Sequence, residues 1–351
     1  MTVGIYRRKD RLDRECLYRP KYMTANRFIM AQDWLVKFGQ MEIAKKGYNF
    51  GNDGQTTRVA VTDKAETELE ANELTLRDFQ IGKPDEPILL KDKNDQLCRY
   101  DDTTETAALR TALGRINTML EDTDISTSRA VTNLDREPEY MGKRVNLVRL
   151  FHYGSFNTGG RFYGGWWQSI KGDVRPFIVL NGTPTVEADY RGFNAAMLLA
   201  RAGQPIPDDP YSLIPGVSEC AELRGHAKTT LAALLNSKSG RTNQPEGFDT
   251  VKHGMTAEDF RQSVHHAFPM LQDLLGQNTG MKLQRGESDL AEQIMLNFVD
   301  KGHPILPIHD AFMVQEHLKD DLVELMQDTF KTRYGQIPPV KVTYPRFPSK
   351  S

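Results

Sequence analysis

The sequence predicts an α+β fold on three observations. Apolar residues recur at helical spacing over 26–46 and 109–120, so roughly the first 145 residues read as mainly helical. Asn181-Gly182 separates two apolar runs, 177–180 and 185–189, a strong short-range signal for a β-hairpin. A second pair of short strands follows in 305–314, where the polar pair His309-Asp310 interrupts an otherwise apolar run.

Taken in chain order, residues 6–22 are locally basic, with Arg7, Arg8, Lys9, Arg11, Arg14, Arg19 and Lys21. They read either as a solvated terminus or as an arm that contacts nucleic acid. Residues 26–46 read as a helix with Phe28, Trp34, Leu35, Phe38 and Met41 on a broad apolar face. The acidic stretch 64–86, ending in GKPDEP, reads as surface or linker. Asp102 with Glu105 resembles a capping box. The helix it would start carries Leu109, Leu113, Ile116 and Leu120.

Character changes near residue 150. The segment GSFNTGGRFYGGWW is rich in glycine and aromatics, a mark of turns and close backbone approach. Trp166-Trp167 could stack bases or anchor a hairpin. Asp189 falls at the end of the second hairpin strand, and helices are expected over 193–201 and 218–236. Thr256 and Asp259 make a cap-like start for a third helix, striped by Phe260, Val264, Phe268 and Leu271. Leu290, Ile294 and Phe298 mark another, stopped by Gly302, and Leu322, Leu325, Met326 and Phe330 mark the last.

The totals bound the function. The 351 residues suffice for two or three packed units, with 26% charged and 39% hydrophobic residues as in an ordinary soluble protein. A formal net charge of -2 argues against coating DNA by bulk charge, though it permits a basic cleft. No run of about eighteen apolar residues is present, so no membrane span is expected. The opening MTVGIYRRKDRLDRE lacks the apolar core of a signal peptide. Cys16, Cys98 and Cys220 lie far apart without zinc spacing and fit reduced thiols, so the expected location is cytoplasmic.

Chemistry concentrates at four side chains. Asp310 alone reads as a turn aspartate, but Asp189 also ends an apolar strand. Were the two strands adjacent, the carboxylates would repel unless a cation sat between them. Mg²⁺ suits such a site because it takes few carboxylates and leaves positions for phosphate oxygens. Two ions about 3.5–4 Å apart would clamp the attacking and leaving oxygens of a phosphoryl transfer. Arg224 and Lys228 share one face of a predicted helix, roughly 6 Å apart. They read either as an ordinary solvated face or as a bare cationic pair beside the apolar run Leu231, Ala232, Ala233, Leu234, Leu235. In the second case a triphosphate tail is the natural partner. GHAKTT lacks the first glycine of a P-loop, no GxSxG or HExxH occurs, and His265-His266 reads as packing or surface.

The order of these segments resembles the superfamily of family A DNA polymerases and phage-type single-subunit RNA polymerases, over about residues 150–320. Asn157-Thr158-Gly159-Gly160-Arg161-Phe162-Tyr163 looks like the motif that opens the palm, whose arginine side contacts the template–product duplex. Val186-Glu187-Ala188-Asp189-Tyr190 resembles motif A, whose aspartate binds both metals. Arg224 and Lys228 resemble motif B, which binds the incoming triphosphate, with the lysine placed to protonate pyrophosphate. Pro307-Ile308-His309-Asp310 resembles motif C, with a second metal-binding aspartate and a histidine near the product 3′ end.

The resemblance implies a right-hand palm sheet with helical fingers, while the mainly helical N-terminal domain is expected from apolar spacing alone and matches neither polymerase class. The expected units are 1–145 as a helical N-terminal domain that could serve as thumb or template-binding domain, then, from the resemblance, 146–202 as the first part of the palm, 203–282 as fingers, and 283–351 as the second part of the palm with the C-terminal tail. It further implies two Mg²⁺ ions, for which Mn²⁺ can substitute, held by Asp189 and Asp310. Arg224, Lys228, Asn194, Asn236 and Tyr190 would contact the nucleoside triphosphate, and Arg161 and His309 the DNA or RNA template and product.

Two positions depart from the family pattern. Asn194 stands where the DNA polymerases place the glutamate that blocks a ribose 2′-hydroxyl, and Asn236-Ser237 stands in place of tyrosine-glycine. Ribonucleotide tolerance is therefore expected. The length leaves no room for a proofreading exonuclease or a large promoter-binding domain. A primase or template-independent nucleotidyltransferase is the alternative enzyme, and a non-catalytic nucleic-acid-binding relic the alternative outside enzymology.

Overall fold

The computed structural model describes residues 2–5, 25–50, 53–55, 57–73, 84–127, 144–170, 172–237, 242–274 and 279–344. The basic stretch 6–22 lies outside them, as does 74–83 of the acidic stretch.

Among the described residues, the N-terminal part carries strands as well as helices. Strands β1 (Thr2–Ile5), β2 (Met41–Lys45) and β5 (Thr57–Val61) form an antiparallel sheet in the order β1-β5-β2, and β3 (Tyr48–Phe50) pairs with β4 (Asp53–Gln55). Helix α1 (Ala25–Lys37) stops where Gly39 takes φ 71°, so Met41 begins a strand instead of closing a helical stripe. Trp34, Leu35 and Phe38 remain 42–62% exposed, so the expected apolar face is not a core face. The acidic stretch holds helix α2 (Asp63–Ala71), N-capped by Thr62.

Strand β6 (Ile88–Leu90) and helix α3 (Thr104–Glu121) belong to the main core. Leu109, Leu113, Ile116 and Leu120 on α3 are all buried, as the spacing predicts. The capping box is one residue later than expected. Thr103 Oγ1 accepts from the Thr106 amide, and Thr106 Oγ1 accepts from the Thr103 amide. Asp102 instead pairs with Arg110.

Two sheets form the body. The smaller places β6 parallel to β8 (Val148–His152), which runs antiparallel to β9 (Ser155–Tyr163). The larger, curled sheet has the order β12-β13-β11-β10-β7, with β14 also against β11. Its strands are β7 (Ile125–Thr127), β10 (Ile178–Leu180), β11 (Thr183–Tyr190), β12 (Ile305–Ile308), β13 (Ala311–Gln315) and β14 (Val340–Thr343). Asn181 and Gly182 both take positive φ, 50° and 75°, in the β10-β11 hairpin their sequence predicts.

Helices close the core around the sheets: α4 (Phe193–Arg201), α5 (Ala221–Asn236), α6 (Thr250–His253), α7 (Ala257–Ala267), α8 (Leu271–Leu274), α9 (Thr279–Asp300) and α10 (Lys319–Tyr334). The capping box of Thr256 and Asp259 forms, and Phe260, Val264, Phe268 and Leu271 are fully buried. Gly302, at φ 72°, follows the end of α9 as expected.

Fully buried Arg149 ties β8 to α9. Its guanidinium donates to Glu292 at 2.6 Å, Asp289 at 2.8 Å and the Gly160 carbonyl at 2.8 Å. Gly160 is required where it stands: at φ 87°, a Cβ would lie 2.8 Å from both the Phe151 ring and Ser288 Oγ.

Candidate active site

Alternation along β11 sets one wall of the site. Val186, Ala188 and Tyr190 point into the core, so Glu187 and Asp189 point to the other face. Asp189 stands opposite Ala311 of β13 on one side and Lys341 of β14 on the other. Asp310 precedes Ala311 in the two-residue turn between β12 and β13, and the Tyr190 amide donates to its carbonyl at 3.4 Å. The adjacency that spacing alone could not establish is therefore a register fact.

That turn is held from behind. Trp167 Nε1 and Gln168 Nε2 donate to the Pro307 carbonyl at 3.0 and 3.1 Å. Trp166 and Trp167 are both buried, so in this structure they anchor the hairpin. His309 sits at φ 60°, an uncommon conformation for a non-glycine residue that surrounding contacts must maintain. Its ring packs edge-on against Tyr163 at 5.5 Å.

Asp189, Asp310, Asn194, Arg224 and Lys228 line one cleft of about 540 Å³, together with Arg191, Tyr211, Ala232 and Lys341. Arg224, Lys228 and Ala232 lie at successive helical turns of α5, which presents one face to the β-turn across the gap. Burial pushes the Asp189 carboxyl up to about 7, helped by Asp310 and Glu187 and opposed by Lys228 and Lys341. Burial likewise raises Asp310, against the pull of Arg161 and Lys228. Burial, then Arg161 and Arg175, push His309 down to about 4, so its imidazole is neutral at pH 7. Its Nδ1 is buried without a hydrogen-bond partner.

The cationic pair is not bare. Asp209 accepts from Arg224 Nε at 2.6 Å and Nη2 at 3.2 Å, and the guanidinium lies 5.3 Å from the Tyr211 ring centre. Asp209 also accepts from Arg191 at 3.2 Å and caps the turn at Tyr211. Lys228 has no ion pair among the described residues and acts on both cleft carboxylates through space.

Comparison with known proteins adds little. No family model and no curated protein matches the sequence. Among solved structures, the POL domain of Pol1 from M. smegmatis, in complex with DNA primer-template and dNTP, is similar over 80% of this chain and 60% of its own, at 14% identity and a TM-score of 0.38. So distant a likeness carries no argument about chemistry, which rests on the cleft itself.

The side chains of four expected site residues lie elsewhere, and one of them, His309, is outside the cleft lining and against Tyr163. The Tyr190 side chain is core: its hydroxyl donates to the Met326 carbonyl at 2.6 Å, and its ring packs on Phe193 and Phe330. Tyr190 borders the cleft, but its side chain falls on the inner face of β11. Asn236 is outside the cleft lining. Its Nδ2 donates to the Ala232 carbonyl at 2.8 Å, and its amide faces Gly280 at the start of α9. Arg161 directs its guanidinium onto Glu287, with Nε and Nη2 each 2.6 Å from a carboxylate oxygen.

The sequence reading missed Asp209, Tyr211, Glu287 and Lys341. The Asp209-Pro210 pair is a turn signal that could have located the first two. The alternation in Val340-Lys-Val-Thr could have located Lys341 as a strand residue.

Proposed function

We propose that this protein is a nucleic-acid polymerase that joins nucleoside triphosphates to a 3′-hydroxyl, directed by a template and tolerant of ribonucleotides. The observation that supports the reading is the sharing of one cleft by Asp189, Asp310, Arg224 and Lys228, from three distant chain segments. The sheet plays the part of a palm, and α5 with its neighbours the part of fingers.

The two carboxylates fit Mg²⁺. Both are half-buried and raised, an arrangement that is costly when both are charged and is relieved by a divalent cation. When bound, Mg²⁺ would supply positive charge to the phosphoryl group as charge builds on its oxygens. Asp189 and Asp310 would hold the ions. Lys228 would hold the triphosphate and give a proton to the departing pyrophosphate as the 3′-oxygen, its own proton passed to solvent, bonds to the α-phosphorus and the α–β phosphoanhydride bond breaks. Arg224 uses one N–H of Nε and one of Nη2 on Asp209, leaving three of its five donors for phosphate oxygens.

Asn194, in the first turn of α4, lines the same cleft beside the incoming sugar in this reading. A neutral amide can donate a hydrogen bond to a 2′-hydroxyl, which a carboxylate cannot. His309, neutral and in contact with Tyr163, would border the product strand.

The test is a labelled primer on a longer template, with Mg²⁺ and with dNTPs or NTPs in separate reactions. Template-dependent extension supports the proposal. Extension without template would make the protein a terminal transferase, and binding without extension under every nucleotide and metal would make it a non-catalytic binder.

A further inference from the structure

A second cluster of metal-ligand type lies on α5, outside the cleft lining. Glu222 and His226 are four residues apart on that helix, so they share a face. His253 closes the short helix α6, which Asp249 caps by accepting from the Val251 and Lys252 amides and Gly254 terminates at φ 64°. One ligand atom from each of the three residues lies within 4.8 Å of the others. Glu222 Oε1 is 3.8 Å from His226 Nε2 and 3.7 Å from His253 Nε2.

Both imidazoles are largely buried and unsatisfied at this spot. The His253 side chain is 2% exposed and the His226 side chain 11% exposed. Nε2 of each is buried with no hydrogen-bond partner. Leaving such nitrogens unpaired carries a desolvation cost that a bound cation would remove. Phe248 packs against both rings, at 5.2 and 5.1 Å, and sets their mutual orientation. Lys252 pairs with the other carboxylate oxygen, Oε2, and leaves Oε1 facing the two nitrogens.

We propose that Glu222, His226 and His253 form a Zn²⁺ site that staples the short helix α6 to helix α5. Ligands at about 2.0–2.1 Å from a tetrahedral centre stand about 3.3–3.4 Å apart. The two Glu–His separations need to close by only about 0.4 Å to reach that spacing. Two imidazoles and one carboxylate select zinc over the all-oxygen preference of Mg²⁺. Glu222 is 39% exposed, so a solvent water completes the fourth position. The site flanks Arg224, two residues from both Glu222 and His226, and fixes the turn of α5 that carries it.

The experiment uses the full chain carrying Asp189→Asn and Asp310→Asn, so that the cleft carboxylates add no zinc binding. It is stripped with chelator and titrated with Zn²⁺ by calorimetry, with and without excess Mg²⁺. One equivalent should bind, undisplaced by Mg²⁺. His253→Gln or Glu222→Gln should weaken binding by about 100-fold or more, beyond the 10–100-fold typical of losing a partner outside the ligand shell. Co²⁺ loaded into the otherwise unmodified chain should show intense visible absorption of a four-coordinate site, absent in His253→Gln. That second readout stands if the doubly substituted background fails to fold. No zinc equivalent, unchanged affinity in His253→Gln, or only the weak absorption of six-coordinate Co²⁺ would overturn the site. None of these readouts depends on nucleotide incorporation, so the site and the polymerase reading fail separately.

Discussion

Asp209 holds Arg224 in a two-point grip, 2.6 and 3.2 Å, with the guanidinium laid over Tyr211. The grip balances the charge of Arg224, which shares the cleft with Lys228. It also fixes the direction of the donors Arg224 has left. Asp209 is thus a positioning residue for Arg224 in the proposed reaction.

The first prediction follows from that grip. Arg224→Ala and Lys228→Ala remove charge-assisted contacts worth roughly 1.5–3 kcal/mol each. Nucleotide KM should rise by roughly tenfold to a hundredfold, with primer–template affinity unchanged. Asp209→Ala should raise nucleotide KM by about tenfold while leaving kcat within a few-fold, because the donors remain but lose their orientation. Unchanged nucleotide KM in all three variants would remove the triphosphate from this part of the cleft.

The second concerns pH in metal-free protein. The Asp189 carboxyl sits at about 7 folded against an ordinary 3.8, so between those values the folded state holds a proton the unfolded state has released. Its stabilising contribution is therefore complete below 3.8 and is lost as pH rises through about 7. Asp189→Asn should stabilise the metal-free protein at pH 8 by roughly 1–2 kcal/mol, reduced from the full shift by solvent screening. Mg²⁺ should raise the wild-type Tm at pH 8 and leave that of Asp189→Asn nearly unchanged. Thermal unfolding from pH 5 to 8 checks both; a destabilised Asn variant at pH 8 would contradict the electrostatic account.

The third concerns Arg161. Burial pushes the Glu287 carboxyl up to about 7, and Arg161 opposes that by binding both of its oxygens. Arg161→Met leaves that acid without its partner and should cost about 3–5 kcal/mol. Adding Glu287→Leu should recover most of the loss. If Arg161→Met instead left Tm unchanged and weakened duplex binding alone, the arginine would be a nucleic-acid contact first.

Much of this architecture is legible in the sequence because its signals are local. Asn181-Gly182 dictates a turn with two positive φ values, and Thr256 with Asp259 dictates a helix start. Asp189 and Asp310 are legible as strand-end charges at the edge of apolar runs. What escapes depends on partners far along the chain. Glu287 reads as a surface charge on α9 until β9 brings Arg161 to it. Lys341 reads as an ordinary lysine until β14 pairs with β11. Asn236 misleads through arithmetic: twelve residues at 100° each carry it about 120° around α5 from Arg224, off the cleft face. The N-terminal sheet escapes because β2 and β5 leave apolar residues such as Ile43 and Val61 exposed, so no one-sided pattern marks them as strands.

A fourth prediction concerns sugar choice. Asn194 lines the cleft with a short neutral amide, so the enzyme should incorporate ribonucleotides alone or alongside deoxynucleotides. Asn194→Glu should cut ribonucleotide incorporation more than deoxynucleotide incorporation. A site that hydrogen-bonds a hydroxyl can reject the analogue lacking it strongly, whereas a merely roomy one discriminates little. A wild-type preference for dNTPs of about a thousandfold, unchanged in Asn194→Glu, would place the sugar guard at another residue.

The most direct measurement is single-nucleotide extension of a labelled primer–template by the full chain in Mg²⁺, beside Asp189→Ala and Asp310→Ala verified as folded by circular dichroism. The account predicts extension by the wild type, its loss with EDTA, its return with Mg²⁺ or Mn²⁺, and at least a thousandfold slower extension by either variant, roughly 4 kcal/mol of barrier. Either folded variant extending primer within tenfold of the wild-type rate would contradict it.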